Sequence, residues 1–247
     1  MSTFVLVHGG GHGGWCYQRV ARRLEAAGHT VYSPSLTGSG DRSHLMSPDV
    51  DLETHITEVA NLLFFEDLSD VILVGHSIGG MVARGAADRA DGRVGKLVYL
   101  DAPQGRTAAE ALPMFDLRAG SKVVDGVELI LLPSEDLLGF FGVTDPEDVA
   151  WALPRLTPHA WKCFDQELSL QNEQAVAAIP RYLIVASGSV DLGVHPEELL
   201  AAARAEDRLW VIEGGHDLMI TAPRAVADSL AQIAAEGTAW AKDTGAA

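Results

Sequence analysis

Residues Gly75-His76-Ser77-Ile78-Gly79 set a serine between glycines two positions before and two positions after it. A serine hydroxyl attacks a carbonyl well only when the backbone presents it outward and a base takes its proton. A strand running straight into a helix leaves little room at the junction. Small residues there let the chain cross closely while the serine projects. Ser77 has that setting: residues 71–75 are an unbroken apolar run, and residues 78–90 read as a helix rich in small side chains. The helix amino end also directs free N–H groups at the turn, where they favour developing negative charge. Ser77 is the candidate nucleophile. An ordinary strand–helix turn shares the pattern, so the remaining chemistry has to come from other parts of the chain.

The base is sought among nine histidines. In an α/β sheet, catalytic groups gather at the carboxyl ends of the strands. His216 follows the last apolar run in LWVIEGGHDLM, with two glycines freeing the backbone before it. His8 and His76 also end strands, but each is tied to a glycine turn and reads as a local bonding residue. A histidine base needs a carboxylate to fix its tautomer and stabilise the imidazolium. Asp191 follows the run RYLIVASG and precedes His216 by one helix and one strand, giving the chain order serine, aspartate, histidine. Asp101, at the end of KLVYLDA, competes for the role, and Asp191 is favoured on order and loop. Asp217, directly after His216, is placed poorly to bond that ring.

Acyl transfer also needs donors for the oxyanion. The glycine-rich stretch HGGGHGGW, residues 8–15, follows the first strand. The N–H of Gly10 and that of Ile78, the residue after the nucleophile, are the expected pair. Gly9, Gly11 and Gly14 also match the spacing of a dinucleotide loop, but the second strand carries no acid at its tip where a ribose would bind.

These residues need a scaffold that brings strand ends together. Short apolar runs at 4–8, 30–35, 71–75, 96–101, 181–187 and 208–213 read as strands covered on both faces. Amphipathic stretches at 15–27, 52–65, 78–90, 196–205 and 222–235 alternate with them. The alternation predicts an α/β fold with a doubly wound, mostly parallel sheet of about six strands. Residues 104–178 break the rhythm, yet they are too apolar for a linker. They read as a helical cap inserted between two parts of the core, residues 1–103 and 179–247. The expected substrate pocket combines Gly9 and His12 with Met114, Phe140, Phe141, Trp151 and Trp161 from the cap.

Bulk composition narrows the partners. The net charge of −16 opposes nucleic acid and anionic membrane surfaces. Two cysteines do not make a disulfide framework. The segment MSTFVLVHGG has neither a basic leader nor a long apolar stretch, so a cytoplasmic protein, monomeric or homodimeric, is expected.

The stretches FVLVHGGGHGGWCY, LEAAGHTVYSPSLTGSGD, VILVGHSIGG and GGHDLM, in this order, resemble the α/β-hydrolases of the hydroxynitrile lyase and plant methylesterase-like group, and bacterial esterases of that group above all. The likeness implies an α/β-hydrolase fold, Ser77, Asp191 and His216 as a triad, a small-molecule ester substrate and no cofactor or metal. Similar bacterial enzymes act on aromatic esters, pyrethroid-type esters and methyl carbamates. Lyases of the group carry a threonine after the first-strand histidine and a lysine after the catalytic histidine. Gly9 and Asp217 stand at those positions here, and an aspartate would repel a departing cyanide. A serine esterase is the resulting expectation, with a carbon–carbon lyase and a non-catalytic ligand-binding protein as alternatives.

Overall fold

The computed structural model describes residues 1–107, 111–112 and 115–236. Its described strands are β1 (Thr3–Val7), β2 (Thr30–Tyr32), β3 (Val71–His76), β4 (Val94–Leu100), β5 (Lys122–Val124), β6 (Val127–Ile130), β7 (His159–Ala160), β8 (Arg181–Ala186) and β9 (Leu209–Ile212). Six of them form one parallel sheet in the order β2-β1-β3-β4-β8-β9. Every residue of β3 is buried, as its unbroken apolar run requires of a central strand covered on both faces.

Alternate residues of each strand feed two cores. Val5, Leu73, Leu97 and Leu183 face helices α2 (Leu52–Phe65) and α3 (Gly79–Arg89). Phe4, Ile72, Val98 and Ile184 face α1 (Gln18–Ala26) and the last described helix, Pro223–Ala235. Local signals set the helix ends. The Asp51 side chain accepts from Thr54 N–H at 2.8 Å and caps α2.

The insertion between β4 and β8 is mixed rather than purely helical. It carries helices α4 (Glu135–Phe140), α5 (Pro146–Ala152), α6 (Trp161–Asp165) and α7 (Glu173–Ala178), together with a three-stranded antiparallel sheet, β5-β6-β7. The turn between β5 and β6 is Asp125-Gly126, with φ of 50° and 81°. Two positive φ values match the right-handed twist of a tight hairpin, so this dipeptide dictates strands where a helix was expected. The insertion is fastened to the glycine-rich loop, where Thr157 N–H donates to Gly11 O at 2.9 Å. The chain then continues through α8 (Ser187–Asp191), α9 (Glu197–Ala205), α10 (Leu218–Thr221) and α11 (Pro223–Ala235). Among the described residues, no helix is long and apolar enough to cross a membrane.

Candidate active site

Ser77 sits between β3 and α3 with φ of 54°. A left-handed backbone is costly for a residue with a Cβ and persists only where its surroundings enforce it. Here the crossing itself enforces it. A Cβ on Gly75 would collide with the Gly79 carbonyl, so the turn closes only with glycine. Ser77 N–H donates to Leu100 O at 3.3 Å, which ties the turn to the end of β4. The serine is half-buried, whereas its neighbours His76 and Ile78 are buried.

His216 lies on the loop after β9. Its ring packs on His76, with centroids 4.5 Å apart, and on Phe141 at 5.4 Å. Its Nδ1–H donates to Asp101 Oδ2 at 2.7 Å, which leaves Nε2 free of that carboxylate. Burial lowers the imidazole's proton affinity, but the Asp101 hydrogen bond and the charges of Asp101 and Asp217 outweigh it, so its pKa stands above the ordinary histidine value. Asp101 is fully buried. It accepts three further bonds: Ala186 N–H at 2.9 Å, Ser189 Oγ at 2.5 Å and His195 Nε2 at 3.0 Å. Burial pushes this carboxyl up, but the donors from His195, His216 and Ser189 hold it far below the usual carboxylate range.

The aspartate that meets His216 is therefore Asp101, not Asp191. The chain after β8 coils at once into α8. Ser189, inside that short helix, meets Asp101, while Asp191 ends it on the exposed side. The strand-end position of Asp101 is legible in the sequence. His195 and Ser189 carry no comparable signal in the sequence.

The glycine loop abuts the nucleophile. A Cβ on Gly9 would lie 2.8 Å from Ser77 Cβ and 2.7 Å from His76 Nδ1, so only glycine fits there. The two histidines of HGGGH bond back onto this loop. His8 Nδ1–H donates to Gly9 O at 2.8 Å while Leu36 N–H donates to His8 Nε2 at 3.0 Å, the pattern of a neutral ring. Burial accordingly lowers the His8 pKa to about 3. The Gly9 carbonyl belongs to the same peptide unit as the Gly10 N–H, so this bond orients and polarises the expected oxyanion donor. His12 Nδ1 lies 2.9 Å from Gly10 O, and its Nε2 lies 2.9 Å from Asp217 Oδ2. His76 Nε2–H donates to the His216 carbonyl at 3.2 Å, and burial lowers its pKa to about 3.

The expected pocket residues divide. Gly9 and His12 lie at the site, and Phe141 is buried against both His12 and His216. Phe140 is 58% exposed. Trp151 packs on Trp15 with the Arg19 guanidinium over its ring, and Trp161 sits beside Arg118. Trp151 thus meets only the far end of the glycine-rich stretch among the described residues, and Trp161 lies against Arg118. Met114 lies outside the described residues. Leu131 and Phe164, outside the expected pocket set, crowd the glycine loop: a Cβ on Gly10 would meet each of them at 2.7 Å.

Two groups of side chains among the described residues have metal-ligand chemistry. One is His55, His159 and Cys163, all buried, and the other is His76, His216 and Asp217. His55 already donates Nε2–H to Thr37 O at 2.9 Å. In the second group, His76 donates to the His216 carbonyl and His216 to Asp101.

A profile described as "Alpha/beta hydrolase family" matches residues 4–229. A carbendazim hydrolyzing esterase from Nocardioides sp. (strain SG-4G) is 36% identical over 244 residues, covering 94% of this chain and 100% of that protein. A pyrethroid hydrolase from Sphingobium wenxiniae is 38% identical over 104 residues, covering 40% of this chain and 39% of that protein. Among solved structures, an Arabidopsis methylesterase superposes with a TM-score of 0.71 at 24% identity, covering 95% of this chain and 99% of that one, which speaks to the fold alone.

Proposed function

We propose, on the premise that this chain belongs to the alpha/beta hydrolase family, that it hydrolyses small to medium hydrophobic carboxylic esters, methyl carbamates included, through an acyl-enzyme on Ser77. The 2.7 Å bond from His216 to a fully buried Asp101, together with a serine held at positive φ in the β3–α3 turn, carries the reading. A buried carboxylate with four donors holds the imidazole in one tautomer and stabilises the imidazolium that forms in the transition state.

In this reaction the Ser77 hydroxyl attacks the ester carbonyl as His216 Nε2 takes its proton. The N–H groups of Gly10 and Ile78 receive the oxyanion. His216 returns the proton to the leaving alcohol, and water releases the acyl group by the reverse sequence. Asp101 takes the role that the sequence reading gave to Asp191. The substrate class is supported by relatives named as a carbendazim hydrolyzing esterase and a pyrethroid hydrolase. The apolar side chains of Leu131, Phe141 and Phe164 around the loop suit an uncharged acyl or aryl group. A lyase is disfavoured because the position after His216 holds Asp217 and so supplies no cation for a departing anion.

The test is hydrolysis of p-nitrophenyl acetate, butyrate and octanoate, and of carbendazim, by the wild type and by Ser77→Ala. Turnover confined to the wild type, with an acyl adduct on Ser77 detected by mass spectrometry, is the expected result. Turnover retained in Ser77→Ala would overturn the mechanism.

A further inference from the structure

His12 has an acceptor on each side. Its Nδ1 faces the Gly10 carbonyl and its Nε2 faces the Asp217 carboxylate, both at 2.9 Å, with both side chains buried. A neutral imidazole has one N–H and could satisfy only one of these partners. The other contact would then set a lone pair against an oxygen, away from water. Two ring protons satisfy both.

The charge balance around Asp217 points the same way. Asp101 has four donors, but His12 is the only side chain that the described residues bring within hydrogen-bond range of the Asp217 carboxylate. Its other oxygen lies 3.8 Å from His76 Nε2, whose proton goes to the His216 carbonyl. An ionised carboxylate this deeply buried needs a paired cation. Burial raises the Asp217 carboxyl, yet the charge and hydrogen bond of His12 bring it below its ordinary value.

We propose that His12 and Asp217 form a buried imidazolium–carboxylate pair that positions the glycine loop against the base loop and, through its balanced charge, sets how tightly His216 holds its proton. The proposal rests on the esterase reading only for its kinetic consequence. His12 pulls on Gly10 O in the glycine loop. Asp217 follows His216, and its own N–H donates to Phe141 O at 3.0 Å. The Phe141 ring touches both His12 and His216, at 5.8 and 5.4 Å, so the pair and the base share one wall. Both members are positioning residues, since neither is placed to touch the reacting carbonyl.

Several other titratable groups facing this cluster keep one charge state through the neutral range. His8 at the end of β1, His76 on β3 and His159 on β7 are held neutral by burial. Cys16 and Tyr17, in the turn below Asp217, have pKa values pushed well up by burial and by that carboxylate. Asp101 stays ionised. His195 also bears on His216, through its 3.0 Å bond to Asp101, and it is common to all the variants compared below.

Two measurements test this. The first is ¹⁵N NMR of the histidine rings in the unmodified protein at pH 7 to 8. Two protonated nitrogens on His12, against one each on His8 and His76, are expected; one unprotonated His12 nitrogen overturns the proposal. This readout needs no substrate, so it stands whether or not the protein hydrolyses esters. The second is the pH profile of kcat/KM for His12→Gln, Asp217→Asn and the double variant. His12→Gln leaves Asp217 unbalanced beside His216 and raises the acid limb by about one pH unit. Asp217→Asn removes the negative charge and lowers the limb by a similar amount. The double variant restores it to within ~0.3 units of wild type. Single variants that lose rate at every pH without moving the limb, or that move it in the same direction, would mean that the pair only supports the fold. Should the single variants not fold, the NMR result alone decides.

Discussion

His216 and Asp101 meet across an intervening strand. Nδ1 lies 2.7 Å from Oδ2, although the residues follow β9 and β4, with β8 between them in the sheet. The carboxylate can span this gap because Ala186 N–H, Ser189 and His195 fix it from the β8 side.

Asp101→Asn preserves the shape but presents an amide to His216 and favours the wrong tautomer. kcat is expected to fall by ~10³–10⁴ with KM changed only a few-fold. Asp191→Asn, at an exposed helix end, is expected to stay within about twofold of wild type. Ester hydrolysis by the two purified variants, with folding checked by circular dichroism, decides between them. The reverse pattern would return the acid to Asp191.

Ser189→Ala removes one of four donors to Asp101 while the other three stay. Stability should drop by about 1 kcal/mol and kcat by roughly tenfold, as for loss of one hydrogen bond to a buried charge. A thermal melt and an initial-rate assay measure the two effects. A kcat loss as large as that of Asp101→Asn would mean that Ser189 does more than hold the carboxylate.

The same carboxylate shapes the pH–rate profile. In the proposed mechanism the neutral form of His216 acts as the base, and its pKa is raised above the ordinary histidine value by Asp101. Activity is therefore lost as pH falls through a point above about 6.5. In Asp101→Asn the residual activity should survive to lower pH. A limb that stays in place would separate Asp101 from the base.

Stability has its own pH dependence, with a sign set by the buried neutral histidines. His8 and His76 have folded pKa values of about 3, and that of His159 is well below 6.5. The unfolded chain then binds more protons below pH ~6.5, so stability is full above that pH and falls as pH drops toward 3. His216, raised in the folded state, is protonated in both states below pH ~6.5, so its own effect falls above that pH and leaves the slope below it unchanged. The three rings together give a loss of about 4 kcal/mol per pH unit between roughly pH 4 and 6. Urea titrations across this window measure the slope. A flat stability curve there would mean that these rings are protonated in the fold.

The parts of this site that were legible in the sequence are those whose cause is local. Gly75 and Gly79 flank Ser77 because the strand–helix crossing admits nothing larger, and that requirement is written in five residues. His216 was legible from its strand end and its glycines. The choice of Asp101 over Asp191 was not, because it depends on how tightly the chain coils after β8. A loop there would have carried Asp191 toward the base, whereas α8 turns it outward and delivers Ser189. The hairpin of the insertion did have a local signal in Asp125-Gly126, overlooked against the helical pattern around it. Trp151 and Trp161 looked like pocket residues because they are large and apolar, but packing against Trp15, Arg19 and Arg118 serves such side chains equally well.

The close fit of Gly9 gives a further test. Gly9→Ala would force a methyl group to within 2.8 Å of Ser77 Cβ, so the loop or the nucleophile must shift. A displacement of several tenths of an ångström at reacting groups is expected to cost about 10²-fold in kcat while the protein stays folded. Rates combined with a melt would show it. A fully active alanine variant would mean that the loop retreats without affecting the oxyanion donors.

Leu131 holds a left-handed backbone, with φ of 52°, and its side chain reaches the space above Gly10. It lies outside the hydrogen-bonded network of Asp101, His216, His12 and Asp217. The ceiling over the reacting carbonyl and the machinery beneath it are thus built from separate pieces of chain. On the proposed mechanism, a glycine at position 131 is expected to relax the backbone and open room for a bulkier acyl group, so that the range of esters accepted shifts while the chemistry stays.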